Sequence, residues 1–287
     1  MYRFENNKLK KINDRKKILE SNKNYYIFST CRLAYIEHPE IKHMKLLKRL
    51  HTNYYMINNN NIITQPVNYT VKLRDVLDSI LYLKGLYELP NSNDNDYVLI
   101  NDIESKINFH QMFFSFTDIT YVYPKTYPLY ETLGNKEIII DKCILEIWNL
   151  KEYIFNSGPF INKNLPFKIN SIHRSYDRNK FNIKEYNEEE AHNVIKTIKK
   201  LVECPILIVG PYLSKNKPQH VNDERKNTQN ILKNVCKIEN IEYFDMTNEI
   251  SKDQSILISN IRTEGDETHF SEKGKKIISK VIYDFFK

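Results

Sequence analysis

Three short runs of nearly unbroken apolar residues constrain this chain most: Tyr25-Tyr26-Ile27-Phe28, Cys143-Ile144-Leu145-Glu146-Ile147 and Ile206-Leu207-Ile208-Val209. Such runs suit strands better than helices, and their lack of alternation fits strands covered on both faces. Longer stretches with apolar residues at helical spacing lie between and after them. Val71 to Tyr87 carries Leu73, Val76, Leu77, Ile80, Leu81 and Leu83, and Glu188 to Val202 carries Val194, Ile195, Ile198, Leu201 and Val202. A third stretch, from about Asp223 to Ile238, carries Ile231, Leu232, Val235 and Cys236. Strands alternating with amphipathic helices predict an α/β fold, a mostly parallel central sheet with helices on both sides.

Other stretches fill in the order. Ile41 to Leu50, with Met44, Leu47 and Leu50, reads as a helix, and Tyr54 to Ile57 as a second strand. Ile138-Ile139-Ile140 reads as a buried apolar run like the one that follows it, with Asn149 to Tyr153 leaving the strand end. Ile241 to Asp245 is a late strand, and a final helix follows Ser271, with Ile277, Ile278, Val281, Ile282 and Phe285 on its apolar side. Ser271 suits the N-cap of that helix. Residues 1–23 form a polar, lysine-rich extension, and 24–287 a single domain with insertions at 97–136 and 156–185. Within the first insertion, Phe109 to Phe116 suits either a helix or a hairpin. The asparagine run Asn58 to Asn61 reads as the codon bias of an AT-rich genome, not as a structural signal.

Composition narrows the function classes. An apolar fraction of 41%, with 20 Tyr and 14 Phe, supplies a large core. The net charge of +7 admits an acidic partner, but basic and acidic residues are interspersed. The main basic cluster, Lys8 to Lys11 and Arg15 to Lys17, reads as a solvated tail, which argues against a nucleic-acid-binding role. No apolar stretch approaches the roughly 18 residues of a membrane span. The N-terminal residues lack the apolar core of a signal peptide. Cys31, Cys143, Cys204 and Cys236 form no Cys-x-x-Cys pair, which points to reduced thiols, a cytoplasmic location, and neither a disulfide framework nor a zinc site. Cys143 reads as core, and Cys204 and Cys236 as packing with helices.

The chemistry concentrates near the end of the chain, in Asp266-Glu267-Thr268-His269. Three residues apart on a loop before a helix, Asp266 can hold one imidazole nitrogen of His269 and leave the other to take a proton from a nucleophile. Open α/β sheets build their sites beyond the carboxyl ends of the strands. Ser29-Thr30-Cys31-Arg32 follows the first apolar strand and Asn149 follows the 143–147 run, so the fold class predicts that these groups converge with His269.

With Val209-Gly210-Pro211, the following helix and Tyr243-Phe244-Asp245, this arrangement resembles the SGNH/GDSL hydrolase superfamily. That family has a flavodoxin-like three-layer sandwich, a Gly-Asp-Ser nucleophile turn after its first strand, and Asp-x-x-His before its last helix. Matching the turn to Ser29-Thr30-Cys31 puts Cys31 at the nucleophile position, similar to GSCFA and capsule-polysaccharide acyltransferase-like members. The resemblance implies Cys31 as nucleophile, His269 as base and Asp266 as its orienter, with Ser29 as the alternative nucleophile. A thiolate at Cys31 needs little activation beyond a nearby imidazole. Arg32 would serve the oxyanion through its N–H and an acidic substrate group through its guanidinium, and Asn149 would be a second oxyanion donor. The turn's usual Gly is Ser29, no block-two Gly is evident, and the block-three Gly-x-Asn-Asp is absent.

The implied activity is hydrolysis or transfer of an acyl ester, first on a carbohydrate, without metal or resident cofactor and with acyl-CoA as a donor if it is a transferase. The partner is then a small-molecule or glycan substrate. The alternatives are a degenerate member that binds a ligand without turnover, a basic nucleic-acid-binding protein, and a cysteine peptidase. Lesser candidates are His173 with Arg174, His220, Arg225, Tyr69 and Lys72, all expected at exposed positions.

Overall fold

The computed structural model describes residues 2–5, 8–11, 23–29, 31–34, 36–44, 53–66, 72–74, 76–77, 80, 97–100, 103–106, 139–155, 163–164, 181–215, 217–257 and 269–287. Its centre is a seven-stranded sheet. In chain order these strands are β3 (Asn24–Ser29), β4 (Lys42–Met44), β5 (Asn53–Ile57), β6 (Asn60–Pro66), β9 (Lys142–Glu146), β13 (Ile206–Val209) and β14 (Glu242–Phe244). Across the sheet the order is β14-β13-β9-β3-β6-β5-β4. The pairs from β14 through β6 are parallel, and β5 and β4 add an antiparallel edge. Numbered among themselves, the five parallel strands run 2-1-3-4-5, the flavodoxin-like order, whose topological switch point lies between the first and the third. Those two strands are β3 and β9. Fold class and layer architecture therefore agree with expectation.

Smaller antiparallel pieces accompany it. β1 (Tyr2–Glu5) pairs with β2 (Lys8–Lys11), and β7 (Tyr97–Ile100) with β8 (Ile103–Lys106). β10 (Lys151–Phe155) pairs with both β11 (Lys163–Asn164) and β12 (Phe181–Glu185). Described parts of both anticipated insertions are thus antiparallel strands, while Phe109 to Phe116 lies outside the described residues.

Strand alternation divides the core in two. Tyr26, Phe28, Cys143, Leu145, Ile206 and Ile208 face one side, packed with Leu73, Val76 and Ile80 and with helices α2 (Glu188–Val202) and α3 (Gln219–Glu239). Tyr25, Ile27, Ile144, Leu207 and Val209 face the other. That side is covered by α1 (Cys31–Ala34), α4 (Thr247–Lys252), a 3-10 turn (Gln254–Ile256) and α5 (Glu272–Phe286). Because successive side chains point to opposite faces, an unbroken apolar run feeds both cores at once.

The helix ends follow from local chemistry. Asn187 and Glu190 form a reciprocal capping box at the start of α2. Ser271 caps α5 as expected, accepting from the Gly274 N–H. Gly274 is required there, since a Cβ would lie 2.4 Å from the Ile256 carbonyl oxygen of the 3-10 turn.

Three expectations fail. Lys42–Met44 is an edge strand, not the start of a helix, because its partner β5 offers a ladder that the spacing of Met44, Leu47 and Leu50 does not reveal. Ile139 precedes β9 and is exposed, so the two isoleucine-rich runs are not equivalent. Asn58 and Asn59 are structural: they turn β5 into β6 with φ of 48° and 64°. The long helix α3 also begins at Gln219, earlier than the apolar spacing suggests.

Candidate active site

The carboxyl ends of β3 and β9 flank the switch point. Every residue of β3 is buried, and Ser29 at its end is fully so, with no hydrogen-bond partner for Oγ among the described residues. By alternation Ser29 shares the face of Tyr25 and Ile27, the face that α1 and α5 cover. α1 is a single turn opened by Cys31. The Cys31 side chain and Asp266 lie outside the described residues.

Arg32 is buried and reaches across the switch point. Its Nε donates to Glu146 Oε1 at 2.6 Å, and the two side chains are 7% and 1% exposed. The same Glu146 oxygen accepts the Trp148 indole N–H at 2.7 Å. The Arg32 guanidinium carbon sits 3.7 Å from the centre of the Trp148 ring, a cation–π contact. A buried pair like this holds only because each charge meets the other and further hydrogen bonds, and deleting one partner strands the other in a low dielectric. The guanidinium expected to hold an acidic substrate group is therefore engaged within the protein.

Contacts continue toward His269. Trp148 meets Tyr212 edge-on, with ring centroids 5.0 Å apart. Tyr212 is buried and packs on Phe270 at 5.6 Å. α3 fixes this corner: Gln229 Nε2 donates to the Pro211 carbonyl and an Arg225 guanidinium N–H to that of Tyr212. Arg225 also lies 4.8 Å from the Trp148 ring centre. It is half-buried on α3, not at the exposed position expected.

His269 is half-buried, directly before Phe270 and α5. Phe270 bridges to Leu257, and Ser271 donates through its N–H to Ile256 O and through its hydroxyl to Ser255 O. These contacts clamp the start of α5 to the 3-10 turn. α1 and α5 are neighbours, and the Glu37 N–H donates to Ser279 Oγ of α5.

Asn149 is half-buried after β9. Its backbone bridges to Lys72, and its Oδ1 accepts the Lys151 N–H at 3.1 Å. The other end of the amide, Nδ2, is a donor. Lys72 is buried rather than exposed. His220 is exposed at the start of α3, whereas Tyr69, His173 and Arg174 lie outside the described residues.

Cys143 and Cys236 are poor nucleophiles. A hydrogen bond with Cys204, then burial, raises the Cys143 thiol well above its ordinary range, and burial pushes Cys236 up to about 12. Among the described residues no group of three or more side chains is arranged to hold a metal ion, and no helix is long and apolar enough to cross a membrane.

Sequence reasoning missed Glu146, Trp148 and Tyr212. The signal for the first two was present: one carboxylate inside an apolar strand run, followed two residues later by the sole tryptophan.

No family model and no curated protein matches this chain. Solved structures similar to it include a lipase/acylhydrolase from Enterococcus faecalis, 11% identical, covering 91% of this chain and 94% of that one with a TM-score of 0.35. An acetylxylan esterase from Geobacillus stearothermophilus is 11% identical over 92% and 93%, with a TM-score of 0.36. A mutant acetyl-xylooligosaccharide esterase is 14% identical over 54% of this chain, which spans 64% of that chain's length, with a TM-score of 0.32. The 2-1-3-4-5 strand order, and not these scores, defines the architecture.

Proposed function

We propose that this chain is an SGNH-like acyl-ester hydrolase or O-acyltransferase acting on a carbohydrate through Cys31, His269 and Asp266. One observation carries the reading. An unbroken series of contacts runs from the residue after His269 to the residue after Cys31: Phe270 to Tyr212, Tyr212 to Trp148, Trp148 to Arg32. Arg32 and Phe270, separated by most of the chain, are linked near the switch point where open α/β folds bind ligands, which supports a site formed by their neighbours.

In the proposed reaction, His269 takes the Cys31 proton while Asp266 holds the imidazole tautomer. The thiolate attacks the ester carbonyl, the alkoxide leaves with the proton from His269, and a thioester remains on Cys31. Water or a sugar hydroxyl, deprotonated by the same imidazole, then attacks the thioester and restores the thiol. The Arg32 N–H and Asn149 Nδ2 are the donors assigned to the oxyanion. Ser29 is the lesser candidate for nucleophile, because its fully buried hydroxyl cannot meet an ester without opening the strand end.

The test is mass spectrometry of the intact protein after short-chain p-nitrophenyl esters or acyl-CoA, comparing wild type, Cys31→Ala and His269→Ala. The expected outcome is an acyl adduct on Cys31, absent in Cys31→Ala and slowed at least about 100-fold in His269→Ala. The faster donor separates hydrolase from transferase. Equally folded proteins with no adduct would move the reading to a ligand-binding member without turnover.

A further inference from the structure

We infer that Glu146 is a positioning residue for the proposed reaction: through Arg32, it sets the placement of the turn that carries Cys31. The inference rests on the reading above, and its geometry is independent of Asp266 and His269.

A four-residue helix cannot hold its own shape, because one turn gains too few hydrogen bonds to offset the cost of nucleation. Something outside α1 must fix it. Leu33 does so from the core side. Arg32, next in the chain to Cys31, does so from the site side, through the 2.6 Å bond to Glu146 and the stack on Trp148. Glu146 is itself placed by β9, which is paired on both sides within the sheet, and by the Trp148 indole N–H. The link thus runs from the third parallel strand to the turn after the first, across the switch point. An ester carbonyl must meet Cys31 Sγ along a defined path, so a displacement of about 1 Å in this turn is felt in the acylation rate.

Placement, as opposed to charge, is the claim, and two substitutions separate them. Glu146→Gln keeps an acceptor oxygen at the same reach for both N–H donors but removes the charge. Glu146→Asp keeps the charge, and with it the neutral pair, but draws the carboxylate back by one methylene. Two rates are measured on each protein by peptide mapping: Cys31 acylation by a p-nitrophenyl ester and Cys31 alkylation by iodoacetamide. Alkylation needs the thiolate and access, but not the alignment that an ester requires.

The expected result is acylation of Glu146→Asp slower by about 100-fold and of Glu146→Gln, whose oxygen still accepts both bonds, slowed clearly less, with alkylation of Cys31 similar in all three. Acylation of Glu146→Asp at the wild-type rate would overturn the inference. So would a loss in Glu146→Gln as large as in Glu146→Asp, which would assign the effect to charge, or a joint loss of acylation and alkylation, which would make the pair merely structural. A wild type that alkylates at Cys31 but never acylates removes the proposed reaction itself, and the positioning role with it. An acylating wild type with an unaffected Glu146→Asp removes the positioning role alone.

Discussion

Asn58 and Asn59 show how a single residue type solves a backbone problem. Both have positive φ in the two-residue connection between β5 and β6, the conformation whose twist matches a hairpin. Asparagine tolerates it, whereas a β-branched residue there pays about 1–2 kcal/mol. Asn59→Val is therefore expected to lower stability by about that amount and Asn59→Gly to leave it equal or raise it, as measured by urea unfolding. The same run, read as composition, looked like a bias of the genome. It was legible as a turn only once strands were seen on both sides of it. Glu146 repeats the lesson: a carboxylate in a strand acquires meaning from Arg32, a partner 114 positions away.

Among the elements, the join between the 3-10 turn and α5 fixes the residues that directly follow His269. Asp253 accepts from Lys273 Nζ and from the Ser255 N–H, and these bonds, Lys273 first, hold its carboxyl down to about 2 from an ordinary 3.8. The sign follows from the direction. A depressed carboxyl adds stability that is present in full above about 3.8 and is lost as pH falls through about 2. Asp253→Asn is expected to flatten the acid limb of stability between those values without changing the limb above it, and acid titration of the unfolding midpoint checks this. The element boundaries here were readable in part. Ser271 announces the α5 N-cap, but α4 and the 3-10 turn carry too few apolar residues to show a period.

For the whole molecule, central placement outweighs residue type. Ile144 is fully buried in β9 between β3 and β13, while Ile139, five positions earlier, is 68% exposed. Ile144→Ala is expected to cost about 2–5 kcal/mol and Ile139→Ala within about 0.5 kcal/mol, compared by denaturant unfolding at fixed protein concentration. The sequence by itself determined the α/β class, the strands at 25–28, 143–147 and 206–209, and the helices at 188–202 and after Ser271, because each rests on local periodicity and capping. Only the tertiary structure decided the 2-1-3-4-5 order, the antiparallel edge of β4 and β5, and the Arg32–Glu146–Trp148 link. Those depend on which strands lie side by side, and strand pairing is a contest among distant segments that no local pattern records.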